Sequence, residues 1–479
     1  MSGAKAKVLK HPAKARYEAG RPSPYHLDPP RSQSADAEIG AAGIRLRNWA
    51  RQLADNSSIV SAILSSRVSN AIGPGLTYEP LAKDRKGNLI PELNDSLRRI
   101  HEDWSRSVDV TGEFSRQELE RLAWRTWDLD GETFVRKVPI GQGIPYRLQQ
   151  IESDWIPLNT TQLFGDEIIV HGVGKDTWGR PLTYYVDPRQ QGDIYGYSGL
   201  LLDPERMTQV PSSDMWHLKR IERVNQTRGV TLLHSVIFRV ADIAEYQQSH
   251  RLAARASSDL YASINRSPDM NPDDIGTVGD RTWQYEHLQM LDELMPGESV
   301  NFHDPRHPNQ NAVDFVREEL RSVASACDVG FSQIAQVFDS SYAAQRLEVV
   351  DTFRKVDRDR SKFIGDFARR ALYEEPINAA RRLTGLIPAR LMRRVNPDTF
   401  LDCRIDGPQM PVIDPVKDRA AYALDQEHGW DSRYGIIRRM GKTPAQVDDE
   451  RATDPLPPES AATAQEPDDD TDDDTEEQA

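Results

Sequence analysis

The sequence predicts a mixed α+β chain in which a strand-rich stretch is set between helical ones. Three observations predict it. Apolar residues recur at helical spacing up to Trp127, the period becomes strand-like between Thr133 and Asp187, and helical spacing returns after Gly229. At 479 residues, 28 % of them charged, the chain is long enough for roughly two to four domains or one elongated multi-part fold.

In chain order, residues 1–40 are rich in Lys, Arg, Pro and Ser and are expected to be a disordered basic arm, with order beginning near Ile44. Trp49, Leu53, Ile59, Val60, Ile63 and Val68 mark helical faces that Gly73-Pro74-Gly75 stops. A second helix is expected from Glu92 to Ser107. A third starts at Ser115, where Ser115-Arg-Gln-Glu118 has the capping-box pattern, and ends at Asp130-Gly131. Thr133–Val138, Tyr146–Ile151, Glu167–Val173 and Leu182–Asp187 read as strands, with a hairpin between the last two. From Val230 to Ile264 there is neither Pro nor Gly, and Leu233, Val236, Ile237, Val240, Ile243 and Ala244 keep the three-four spacing of one long helix. Asn265 to Asp280 reads as a loop. Helices are expected at Phe315–Ala326, at Tyr342–Glu374 and after Asp414-Pro415, and from Ala452 the chain turns acidic and cannot fold alone.

Composition excludes several classes. No run of about 18 apolar residues exists, so no membrane span is expected. Cys327 and Cys403 form neither a disulfide framework nor a zinc site. A formal charge of −15 opposes a general basic coat for nucleic acid, though not transient handling of it. Gly441-Lys442-Thr443 lacks the upstream glycine of a P-loop and reads as a helical connection. Gly141-Gln-Gly143 reads as a turn. Asp128-Leu-Asp130-Gly131-Glu132 lacks the further ligands of a calcium loop. Pro305 breaks any helix that would align His303 with His307 on a metal. No catalytic constellation, metal site or cofactor is nominated, and no enzyme activity is expected.

Arg47-Asn-Trp-Ala-Arg51, Asp130-Gly-Glu-Thr-Phe134, Leu148-Gln-Gln-Ile-Glu-Ser-Asp154, the hairpin carrying Asp176, Gly179 and Arg180, and the string His217…Arg223…Gln226-Thr-Arg228-Gly229 occur in the order seen in the lambda-type portal proteins of tailed bacteriophages, which this chain resembles from about Ile44 to Asp454. The resemblance implies an α+β portal fold with an α/β wing, a helical stem, a β-rich clip and a helical C-terminal crown. It maps 41–114 and 299–405 to the wing, 115–130 and 217–265 to the two stem helices, 131–216 to the clip, 266–298 to a tunnel-proximal loop, 406–451 to the crown and 452–479 to an acidic tail. It implies a ring of about twelve copies at one capsid vertex, passing double-stranded DNA in packaging and ejection. Its partners would be the terminase large subunit, head-completion proteins and capsid or scaffold protein, and its place the virion, after assembly in the host cytoplasm. His217, Arg223, Gln226, Arg228 and Gly229 are assigned to subunit or stem packing, because the planar guanidinium suits buried carboxylate pairing; Arg228→Ala is then expected to impair ring assembly. The competing readings are a nucleic-acid-processing enzyme and another ring-forming head–tail adaptor.

Overall fold

The computed structural model describes residues 33–141, 143–164, 167–187, 207–258, 262–266, 298–302, 310–338, 341–383, 385–410 and 415–453. Helix α1 (Ala35–Asn56) is capped by Ser34, whose hydroxyl accepts the Ala37 N–H, and carries Asp36 and Glu38 at the positive end of its dipole. Order therefore begins within the expected 1–40 arm, of which residues 1–32 lie outside the described residues. After Ser57, α2 (Ser58–Ala71) packs beside α1 and ends ahead of Gly73 and Gly75, both at positive φ. Strand β1 (Thr77–Pro80), α3 (Pro91–Ser105) and α4 (Arg116–Asp130) follow. The capping box expected at Ser115 and Glu118 is present, and Gly131 ends α4 at φ 85°.

The period-two stretch folds as two antiparallel sheets. Strands β2 (Glu132–Val138) and β3 (Arg147–Ile151) join a later strand in a three-stranded sheet. Strands β4 (Gln162–Phe164), β5 (Glu167–Val170), β6 (Val173–Lys175), β7 (Pro181–Val186) and β8 (Thr208–Pro211) form a five-stranded meander in sequence order. Strand β9 (Met215–Lys219) returns to β2 and sets His217 opposite Phe134. The boundary drawn at 216/217 thus falls inside a strand: the edge of β2 needs a partner for its backbone groups, and this segment supplies one.

The long helix expected from Val230 to Ile264 is shorter. A 3-10 turn at Leu232–Ser235, capped by the Thr231 hydroxyl, precedes α5 (Ile237–Ser258). The chain then enters strand β10 (Ala262–Arg266), antiparallel to β11 (Glu298–Phe302). Helical apolar spacing stops at Ala244, and around Ile264 small and apolar residues alternate with polar ones, which is a strand pattern. Of the loop expected from Asn265 to Asp280, Asn265 and Arg266 belong to β10; its remainder, 267–280, and His303 with His307 lie outside the described residues.

Helix α6 (Gln310–Ala326) packs on α5, and α7 (Phe331–Ala335) on α2 and α6. Helix α8 (Tyr342–Phe363) continues without a break through a π-helical stretch, Ile364–Glu374, into α9 (Glu375–Arg381). Pro376 sits inside this continuous helix and offers no N–H to the turn before it, where the Ala371 carbonyl accepts instead from the Tyr146 hydroxyl (2.7 Å) and the Leu372 carbonyl from His101 Nε2 (2.9 Å). Helix α10 (Ala389–Met392) leads to β12 (Cys403–Asp406), which pairs with β1. Helices α11 (Pro415–Glu427), α12 (Arg433–Arg439) and α13 (Pro444–Thr453) close the described chain. Gly441-Lys-Thr443 is the turn into α13, as expected of a helical connection, and α13 runs one residue past Ala452.

The largest core gathers α3, α4, β1, β2, β3, β12, α9, α10 and the π-helical stretch, with Trp124, Trp127, Phe363, Phe367 and Phe400 at its centre. A second joins α1, α2, the start of α5 and the end of α6. A third lies between the two sheets, around Phe134, Tyr184 and Val210. Helix α4 is accordingly a core helix: Leu119, Ala123, Trp124 and Trp127 are all fully buried. It is not a free-standing rod.

Candidate functional site

The string from His217 to Gly229 meets the end of α4 and the start of β2 around one carboxylate, Glu132, which is fully buried. Arg228 donates from Nε to both Glu132 oxygens at 2.9 Å and from Nη2 at 2.7 Å. Its Nη1 donates to the carbonyls of Ile156 (2.7 Å) and His171 (2.8 Å), and Nη2 also to that of Ser153 (3.0 Å). Each of the three guanidinium nitrogens therefore donates within the chain, and the side chain has no exposed surface. Glu132 further accepts from Arg47 Nη2 (2.9 Å), His217 Nε2 (3.0 Å) and the Gly229 N–H (2.9 Å). His217 stacks on Phe134 with centroids 4.2 Å apart.

Burial alone would raise the Glu132 carboxyl; Arg228 and then His217 outweigh it and hold the group well below the usual carboxylate range. Burial pushes the His217 imidazole down to about 4, the Glu132 hydrogen bond recovering only part of the shift. A neutral imidazole facing a carboxylate, which only accepts, must carry its proton on Nε2. Burial likewise lowers Lys219 to about 8; its ammonium donates to the carbonyls of Gln226 (3.0 Å) and Thr227 (2.8 Å).

Gln226 fixes the loop itself. Its carbonyl oxygen accepts from the Glu222 and Arg223 N–H groups, and its amide donates to the carbonyls of Arg220 and Arg228. Gly229 and Gly131 lie backbone against backbone. A Cβ on Gly229 would sit 2.0 Å from the Gly131 carbonyl oxygen, and one on Gly131 would sit 2.1 Å from the Val230 carbonyl carbon. The first turn of α1 clamps the loop from outside: Asp36 accepts from the Thr227 N–H (2.7 Å) and hydroxyl (2.6 Å).

Two further arginine–carboxylate pairings extend this junction. Arg67 donates to Asp128 (2.9 Å), Asp359 (2.7 Å) and the Cys327 carbonyl (3.2 Å), and Arg220 also reaches Asp128 while lying 4.7 Å over the Trp127 ring. Arg51 grips Asp130 through two hydrogen bonds, and Arg47 and Arg51 share Asp154. The acids Asp128, Asp130 and Glu132, which lacked the further ligands of a calcium loop, are thus each taken by arginine.

His217, Arg228 and Gly229 meet at Glu132, and Gln226 joins them through the Arg228 carbonyl. Arg223 stands apart: it is exposed and pairs with Glu38 at 2.9 Å and the Gln33 carbonyl at 2.8 Å. Asp176, Gly179 and Arg180 form the tip of the β6–β7 hairpin. There Asp176 accepts from the Trp178 and Arg180 N–H groups, and Gly179 takes φ 83°. The base of that hairpin reaches the junction through Lys175 and the Thr227 hydroxyl and through Tyr184, whose ring meets His217 edge-on at 5.7 Å. Sequence reasoning noted Arg47, Asp130, Glu132 and Asp154 inside family-like strings but gave them no role, and it missed Arg67, Asp359 and Asp36. Cys327 is buried, which pushes its thiol up to about 12. Every charge at the junction's centre is spent on another, so the arrangement locks α1, α4, β2 and the 217–229 string together.

The model of the family described as phage portal protein, lambda family, matches residues 27–360. A probable portal protein of Halomonas phage phiHAP-1 is 27 % identical over 445 residues, which cover 87 % of this chain and 81 % of that one. Among solved structures, a chain from the neck of an empty GTA particle is similar at 14 % identity with a TM-score of 0.48, covering 84 % of this chain and 94 % of that one. An HK97 family phage portal protein from Corynebacterium diphtheriae is similar at 12 % identity with a TM-score of 0.30, over 65 % of this chain and 88 % of that one.

Proposed function

The chain belongs to the lambda family of phage portal proteins, and we propose that its copies, about twelve in number, close into a ring at one capsid vertex through which double-stranded DNA is packaged and ejected. The observation that carries this reading is the family match over residues 27–360. A net charge of −15 suits a conduit, because a duplex bearing one phosphate per about 1.7 Å would stick to a continuous basic lining. The locked junction suits it too, since a subunit that must hold its shape in a ring profits from a rigid centre. The role asks the chain to position and pass DNA, with terminase, head-completion proteins and capsid or scaffold protein as its partners. Its place is the virion's portal vertex, reached after assembly in the host cytoplasm.

Within such a ring we read α5 and α6 as the two stem rods and 262–302 as the clip, in place of 115–130, 217–265 and 131–216. Arg239 of α5 pairs with Glu319 of α6 at 3.2 Å, and Tyr246 packs on Phe315 with centroids 5.1 Å apart. Numbers rise on one helix as they fall on the other, so the two run antiparallel, with the β10–β11 ribbon at their shared end. Phe238 is 72 % exposed, Val313 63 % and Leu252 56 %, which supports neighbours covering this pair. The sheets β2–β9 then belong to the wing, around α4. Electron microscopy of the purified chain tests the function: annuli with a central hole are expected, and a compact monomer at micromolar concentration overturns it.

A further inference from the structure

Five arginines, Arg381, Arg382, Arg390, Arg393 and Arg394, occupy the corner formed by α9 and α10, and no Asp or Glu occurs between Pro376 and Pro397. Ile377, Ile387, Leu391 and Val395 turn inward to the largest core, leaving all five arginines exposed. Arg390 pairs with Glu92 at 3.2 Å. Arg381 lies 5.0 Å over the Phe400 ring, and it, Arg382, Arg393 and Arg394 have no carboxylate partner among the described residues. Other exposed arginines are either paired, as Arg321, Arg404 and Arg433 are, or, like Arg45 and Arg354, stand in stretches that also carry Asp or Glu. With four of its five arginines lacking a carboxylate among the described residues, the corner is a cationic patch on a molecule of net charge −15.

The chain itself carries the complementary segment. Nine of the twelve residues from Glu466 to Glu477 are Asp or Glu. Helix α13, after which that segment follows, is held beside α3 by Arg98 and Asp449, 3.7 Å apart, while the first turn of the same α3 holds Arg390. Arg98 lies six residues, about 9 Å, along α3 from Glu92. The 13 residues from Thr453 to Glu466 reach up to about 43 Å. A tethered ligand of this kind sees its site at an effective concentration in the millimolar range, whatever free polyanions are present.

We propose that the acidic segment 466–477 docks on the arginine corner of its own chain and shields it from phosphate. The pairing is electrostatic and exposed, so it weakens with salt. It requires no ring.

The test uses the full chain labelled with a fluorophore through Thr475→Cys, Cys327 and Cys403 being buried. Dye anisotropy at low salt is expected to be high, and to fall both in 0.5 M salt and in the Arg382→Glu/Arg393→Glu/Arg394→Glu variant, with an unchanged melting curve. Equal anisotropy in wild type and variant overturns the proposal. In a second arm, a peptide of residues 464–479 is expected to bind the chain truncated after Gln465 at least tenfold more tightly than the full chain, and not to bind the truncated chain bearing the triple substitution. A duplex DNA that binds the corner of the full chain as tightly as that of the truncated one would also overturn it, because the corner would then be open to nucleic acid.

Discussion

Arg228 shows how far a residue's type and its place in a string can be read before its partners are known. The sequence assigned it to subunit or stem packing through carboxylate pairing, and the carboxylate it pairs with lies within the same subunit, where the guanidinium is fully buried. The carboxylate lies 96 positions earlier in the chain, and nothing in the local pattern points there. Arg228→Ala strands Glu132 among partial partners, and breaking a buried pair costs about 3–5 kcal/mol; thermal melting of the purified subunit should show the loss before any ring defect. Arg223→Ala, whose pair with Glu38 is solvent-exposed, should cost less than about 1 kcal/mol in the same assay. Acid should also unlock the junction. Neutral His217 is held at about 4, whereas an unfolded histidine protonates below 6.5, so stability is lost from about pH 6.5 downward. The Glu132 carboxyl, held below its ordinary 4.5, adds a further loss as pH falls below that value. Melting temperature should therefore drop between pH 7.5 and pH 5, more steeply than in a His217→Gln variant.

Elements were legible wherever periodicity and punctuation agreed. The capping box and Gly131 marked α4, and the β-branched runs marked β2, β3, β5 and β7, because those signals are local. What α4 packs against was not legible, since an amphipathic face does not say whether the opposite face meets solvent or a second layer. Trp124 and Trp127, both enclosed, settle it as a core helix. The end of α5 is less legible, because the absence of Pro and Gly permits helix up to Ile264 while the strand alternation near Ile264 is the signal the fold follows. Hydrogen exchange on the subunit should find α4 amides among the slowest, opening only with global unfolding. Those of α5 after Ala244 should exchange faster and slow down on assembly. Trp124→Ala should cost about 3–5 kcal/mol, as for other buried aromatics.

At the scale of the molecule, the order of family-like strings across the chain identified the family, and the match over 27–360 bears it out. The position of the β insertion was the weaker part of that reading: two helix–strand–helix stretches exist in this chain, and their order along the sequence does not say which one projects. We propose the second, because α4 is enclosed while α5 and α6 pair and leave apolar residues exposed. The most direct measurement is a cryo-EM map of the assembled particle or purified ring. The account predicts a closed annulus with α5 and α6 around the channel, the β10–β11 ribbon at its narrow end and the β2–β9 sheets outside. A map with α4 facing the channel and the β2–β9 sheets at that end, or a chain that never assembles, would contradict it.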